Sequence, residues 1–254
     1  LEWLKRHQEY DGHWDADDWD LHCAGAARLD PRYHTQHPDC RSGLGWRTVD
    51  TAVTGMALLA YLRAGETPDA GDFRATVRAG LQYLLSLQQP NGCFASPADL
   101  ALDHYPLAHA VCALAMVEGY EGTGSRIFEL AARSGIGFIE AIQIEGAGWG
   151  WAGSGSAVRS DTTTTMWMTM ALEAAQAAGL MVKSDTLAGA IEYARAATDP
   201  RTGSALFDLE GSAYPNIAGA SAPHAESVTA AAIVTRLLAG EKPDAEQIRL
   251  GTAR

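Results

Sequence analysis

Leu4-Lys5-Arg6-His7-Gln8, followed by Gly12-His13-Trp14, is the stretch that decides the fold: a helix that ends in Gln and gives way to a Gly-aromatic turn. The arrangement returns as Leu84-Leu85-Ser86-Leu87-Gln88 with Gly92-Cys93-Phe94. It returns again as Phe138-Ile139-Glu140-Ala141-Ile142-Gln143 with Gly148-Trp149-Gly150-Trp151. A worn fourth copy runs through Ile191-Glu192-Tyr193, Thr198 and Gly203-Ser204-Ala205. Gln88, Gln143 and Thr198 stand 55 residues apart, whereas Gln8 precedes Gln88 by 80, one period plus an insertion of 25. A period of this size marks an array of supersecondary units, none of which can bury its apolar face alone.

Working outward, longer and more apolar helices are expected between the Gln-ended ones, at roughly 50–63, 105–119, 161–178 and 224–239. Met56-Ala57-Leu58-Leu59-Ala60, Ala113-Leu114-Ala115-Met116, Met168-Thr169-Met170-Ala171-Leu172 and Ala230-Ala231-Ala232-Ile233-Val234 are apolar on nearly all faces, which predicts burial. The Gln-ended helices are amphipathic instead. Phe73, Val77, Leu81, Leu84 and Leu85 form a stripe that leaves Arg74, Arg78 and Gln82 off it. Gly65, Gly119, Gly179 and Gly240 read as the stops of the four buried helices. A fifth outer helix begins near Asp244. The predicted class is all-α, with helical hairpins alternating inner and outer helices. Residues 15–48 form a polar insertion and residues 200–223 a second irregular stretch, both just before an inner helix.

Composition narrows the partners. A net charge of −12 repels phosphates and argues against nucleic acid. No apolar run is long enough to span a membrane. At 47% hydrophobic over 254 residues the chain can bury a large core, and the shared repeat argues for a single domain over 1–254. Its opening at Leu1 and its close at Gly251-Thr252-Ala253-Arg254 lead us to expect a fragment of a longer chain, whose other domains are candidate partners. A missing targeting segment is therefore uninformative about compartment. The four cysteines are irregularly spaced and give no disulfide framework.

The aliphatic positions, the Gln and the Gly-x-aromatic turn resemble the QW repeat of terpenoid cyclases such as squalene–hopene cyclase. The inner–outer alternation is similar to the α/α toroid those enzymes share with protein prenyltransferase β subunits. The closest likeness is to bacterial squalene-cyclase-like (prenyltransferase/squalene oxidase) repeat proteins, and it covers essentially the whole chain. It implies an α/α toroid or partial α-α barrel with an apolar small molecule or a peptide in its central cavity; no cofactor is expected beyond a candidate zinc in the insertion.

Asp50-Thr51-Ala52-Val53-Thr54 and Asp161-Thr162-Thr163-Thr164-Thr165 share the pattern D-T-x-x-T, each opening an inner helix. The resemblance places the initiating acid of a cyclase at this kind of position. Aligning D-x-D-D-T-A on the first copy puts Arg47 and Val49 where two of the acids belong, whereas Asp161 aligns with the acid of the second cyclase type. Such an acid protonates an alkene or epoxide, so it must be strongly acidic and face a dry, aromatic-lined cavity. Trp149, Trp151 and Trp167 lie near Asp161 in sequence. The alternative is that Asp50 and Asp161 are N-caps whose carboxyls accept backbone N–H bonds, in which case the pKa of Asp161 should fall.

Asp15-Ala16-Asp17-Asp18 matches D-x-D-D literally but follows an outer helix, and reads as a solvated acidic loop. His22, Cys23, His34, His37 and Cys40 concentrate zinc-type ligands in the insertion, open alternatives being a Cys23–Cys40 bridge or free thiols. Cys93 and Cys112 read as buried small hydrophobes. His104, His224 and Glu226 join Asp50 and Asp161 at the inner-helix starts, where they form a candidate ligand-binding ring. Three functions stay open: a non-catalytic binding module, a class II terpenoid cyclase-type enzyme acting through Asp161 or Asp50, and a polysaccharide-active toroid.

Overall fold

The computed structural model describes residues 1–17, 19–22, 47–101, 105–144, 148–151, 159–209 and 225–253. The protein is mostly helical. In chain order the helices are α1 (Glu2–Arg6), α2 (Asp50–Arg63), α3 (Arg74–Leu87), α4 (Pro97–Ala101), α5 (Tyr105–Glu121), α6 (Arg126–Ala141), α7 (Thr162–Ala177), α8 (Ser184–Ala196), α9 (Ala225–Leu238) and α10 (Glu246–Thr252). A two-residue antiparallel ribbon, β1 (Gly150–Trp151) with β2 (Arg159–Ser160), precedes α7. No helix of the described residues is long and apolar enough to cross a membrane.

Contacts gather into two compact units, Leu1–Gly135 and Ile136–Arg254, and the division falls within α6. In the first unit α2 packs chiefly on α5. The contact is close because Gly55 faces α5: a Cβ there would sit 2.9 Å from Val111 Cγ1 and 3.2 Å from the Cys112 amide nitrogen. Helix-forming Ala, Leu and Met fill α5, and Pro106 falls at its second residue, where a missing N–H costs nothing. His109 through Val117 are all buried. α3 buries one face only, through Thr76, Val77, Gly80, Leu81 and Leu84. Trp14 and Phe94 complete this core. Truncating either would cost on the order of 3–5 kcal/mol, the usual loss for a buried aromatic.

In the second unit α9 packs on both α7 and α8. Its buried side includes Val228, Ala231, Ala232 and Thr235. Gly65, Gly179 and Gly240 follow their helices at positive φ, as expected of stops. Gly119 does not. It lies inside α5, two residues before the end, where a Cβ would press on Leu81 at 3.0 Å. Gly124, at φ +66°, follows that helix instead.

Candidate functional site

The Gln–Gly turns are tied down by related bonds, most complete in the first two copies. Gln8 and Trp14 form an isolated antiparallel bridge, as do Gln88 with Phe94 and Thr198 with Ala205. Gln8 Nε2 donates to Gly12 O and to Thr76 O in the first turn of α3, both at 2.9 Å. Gln88 Nε2 donates to Gly92 O at 3.2 Å and to Ala131 O of α6 at 2.9 Å. Gln143 Nε2 reaches Thr186 O of α8 at 2.8 Å. Thr198 is too short for such a reach and turns back to Ala194 O at 2.6 Å. The glycine is needed because the turn lies against the next amphipathic helix. A Cβ on Gly12 would fall 2.3 Å from Ala79 O, and one on Gly92 would fall 2.2 Å from Ser134 O.

A second tie was only half legible in the sequence. The amide of each turn's last residue donates to a side chain three or four residues after the buried helix begins. Trp14 N bonds Thr54 Oγ1 (3.0 Å), Phe94 N bonds His109 Nδ1 (2.9 Å), Trp149 N bonds Thr165 Oγ1 (3.0 Å) and Ala205 N bonds Thr229 Oγ1 (3.0 Å). Thr54 and Thr165 are the closing Thr of D-T-x-x-T, so the pattern was visible but its acceptor role was not. Since Nδ1 of His109 accepts, Nε2 carries the proton and donates to Gly135 O at 3.1 Å. Burial lowers this imidazole to about 4. The first Thr of each pattern also has a partner. Thr51 Oγ1 donates to Asp99 Oδ2 at 2.7 Å, and Thr162 Oγ1 donates to Leu206 O at 2.7 Å.

The two aspartates of the pattern differ. Asp161, in extended backbone (φ −125°, ψ 153°) just after β2, is a true N-cap: its Oδ1 accepts from Thr164 N at 2.7 Å. Its Oδ2 is buried without a partner among the described residues. The carboxyl is not lowered as a cap alone would require. Burial, helped by the charge of Asp208, raises it to about 6 against the Thr164 and Thr163 donors. Asp50 does not cap. The 3-10 turn Arg47–Val49 runs straight into α2, and Asp50 Oδ1 instead accepts from Ala16 N at 2.9 Å. Burial raises Asp50 to about 7, with Asp15 and Asp17 adding to the shift and the Ala16 amide and His13 opposing it.

The Ala16 bond overturns the reading of Asp15–Asp17 as a solvated loop. Trp14 is buried and anchored to Thr54, so the residues after it are drawn over the start of α2. There His13 Nδ1 bonds Asp11 Oδ1 at 2.6 Å, and the ring stacks on Tyr83 at 5.1 Å. His13 Nε2 lies 3.9 Å from Asp15 Oδ2. Ligand atoms of His13, Asp15 and Asp50 all fall within 4.8 Å of one another.

The other expected site residues are scattered. Trp149 is 1% exposed, with its indole N–H spent on Ile139 O at 2.8 Å. Trp151 pairs with Arg159 through the ribbon, and Trp167 is half-buried on α7. Glu226 is exposed in the first turn of α9. With Thr229, Ala230, Ile233, Val234, Gly251 and Thr252 it lines a cleft of about 340 Å³. His22 pairs with Glu9 through Nε2 and Oε1. Cys23, His34, His37, Cys40, His104 and His224 lie outside the described residues. Cys93 and Cys112 are buried free thiols, as expected, and burial raises Cys93 to about 12. Asp99, fully buried, was not anticipated. It accepts from Ser96 N and Thr51 Oγ1 on Oδ2, while its Oδ1 has no partner among the described residues.

Compared with known proteins, the chain matches no family model, no curated protein and no solved structure.

Proposed function

We propose that this chain is a squalene-cyclase-like α/α-toroid module that holds an apolar small molecule or a peptide in a central groove, without cyclase chemistry. The observation that carries this reading is the employment of the D-T-x-x-T residues. Thr54 and Thr165 hold the turns in place, Thr51 bonds Asp99 of α4, Thr162 bonds Leu206 O, Asp161 caps α7, and Asp50 anchors the Ala16 amide.

One observation favours the cyclase alternative: Asp161 Oδ2 is buried and unpartnered among the described residues, as a proton-delivering oxygen would be. Asp161→Asn separates the two readings, because Asn caps nearly as well but delivers no acidic proton. The protein is incubated with squalene and with geranylgeranyl diphosphate, and extracts are analysed by gas chromatography–mass spectrometry. The binding reading expects no cyclised product and saturable uptake of an apolar fluorescent probe, unchanged in Asp161→Asn. Cyclised product that disappears in Asp161→Asn at unchanged melting temperature refutes it.

A further inference from the structure

Four copies of one turn provide an internal control for what the scaffold needs. In each copy the last turn residue is bonded through its amide to a side chain on the buried helix, three or four residues after that helix begins. Residues three or four apart share a helix face, so the helix's first residue lies on the face the turn crosses. In the first copy the two residues flanking that turn residue meet the helix start: ligand atoms of His13, Asp15 and Asp50 lie within 4.8 Å of one another. In the second, third and fourth copies the flanking pairs are Cys93 and Ala95, Gly148 and Gly150, and Ser204 and Leu206. In the first copy they are His13 and Asp15, set against Asp50. The scaffold is built three times without a histidine or a carboxylate at the flanks, so an imidazole and flanking carboxylate are not required to make it.

We propose that His13 Nε2 and the carboxylates of Asp15 and Asp50 bind one divalent transition-metal ion, with Asp11 as the outer-shell partner that orients His13. Ligand atoms 2.0–2.2 Å from a common ion sit about 3–4 Å apart, and the 3.9 Å between His13 Nε2 and Asp15 Oδ2 meets that spacing. The Asp11–Nδ1 bond fixes the tautomer whose Nε2 lone pair faces the carboxylates, as a carboxylate–histidine–metal triad requires. Asp50 is 8% exposed, yet among the described residues it receives one hydrogen bond, on Oδ1, and pairs with no Lys or Arg. A buried carboxyl is neutralised either by a proton or by a cation, and a metal ion at this point supplies the second. The mixed nitrogen and oxygen donors select zinc, manganese or cobalt over magnesium or calcium. The site uses none of the cysteine or histidine residues of the insertion and is independent of whether the protein is a binding module or an enzyme.

The test is isothermal titration of the chelator-stripped, untagged protein with Zn²⁺, with Mg²⁺ as control and Co²⁺ absorption as a second readout. One zinc per chain is expected, with a higher melting temperature on loading and no response to magnesium. His13→Ala and Asp15→Asn should each weaken zinc at least tenfold. Asp11→Asn, which leaves the ligands in place, should weaken it by roughly tenfold or more. The double variant Cys23→Ser/Cys40→Ser should bind as the parent does. Circular dichroism establishes that each variant is folded, and Asp11→Asn serves if His13→Ala is not. No saturable zinc uptake overturns the proposal. So does uptake that the His13 and Asp11 variants leave unchanged, or uptake that the cysteine variant abolishes.

Discussion

His109→Thr tests the turn ties most directly. Thr occupies the equivalent place at Thr54, Thr165 and Thr229, so the variant keeps an acceptor for the Phe94 amide. It loses the imidazole packed on Phe94 at 5.7 Å and the bond to Gly135 O. At pH 7.5 that truncation should cost about 2 kcal/mol, in line with other large-to-small changes in cores. The pH dependence is the sharper signal. His109 is held near 4 in the fold and titrates at 6.5 when unfolded. Above pH 6.5 both states are neutral and its contribution is complete. As the pH falls from 6.5 toward 4 the unfolded chain takes up a proton and the native one does not. Stability then drops by about 1.4 kcal/mol per pH unit. Between pH 7.5 and 4.5 the parent should lose roughly 3 kcal/mol that His109→Thr does not lose. Asp50 and Asp161 have raised pKa values and act in the opposite sense, losing stability as the pH rises through theirs. They are common to both proteins and cancel in the difference. Urea unfolding followed by circular dichroism at the two pH values measures it. Equal losses in parent and variant would refute the assignment of a neutral, accepting His109.

Three further outcomes follow from the same geometry. Gly92→Ala, at φ +94° and facing Ser134 O at 2.2 Å, should cost more than about 3 kcal/mol in urea unfolding; Gly179→Ala, at φ +75° with open space around it, should cost only the left-handed penalty of about 1–2 kcal/mol. Gln88→Ala removes both ties and should cost about 1–2 kcal/mol by the same assay, with faster amide exchange in the turn at 89–94. Arg236 is 2% exposed and forked onto Glu241 at 2.8 and 2.6 Å, so Glu241→Gln strands a buried guanidinium and should lower stability by about 3 kcal/mol, whereas losing the exposed Arg78–Asp69 pair should change it by less than about 0.5 kcal/mol.

Much of the fold was readable because it rests on two strong signals. Apolar runs without a polar face marked α2, α5, α7 and α9 nearly to the residue, and the Gln–Gly spacing located the turns between them. The misreadings share one cause: a residue type that serves two roles. Gly119 looks like a helix stop, but in α5 it leaves room for Leu81. Asp50 and Asp161 open the same pattern, yet capping needs extended backbone at that residue. Asp161 has it because a strand precedes, whereas Asp50 follows a 3-10 turn that carries the helical path onward. The pKa of Asp161 went up because the Thr164 and Thr163 donors do not offset burial, to which the charge of Asp208 adds.

The candidate metal site was hidden for a related reason. Its residues are close only because Trp14 is fixed to Thr54, and nothing in His13-Trp14-Asp15 says which helix start the turn will cross. The same tie explains why the repeat can be so worn. Its bonds run from main-chain N–H groups to an acceptor three or four residues after the helix begins, and Thr or His serves equally. Its glutamines donate to main-chain carbonyls, which every residue has. A scaffold held by backbone groups leaves its flanking side chains unconstrained. Chemistry can therefore be placed on one copy, as at His13 and Asp15, while the other copies keep small or apolar residues there and the architecture is unchanged.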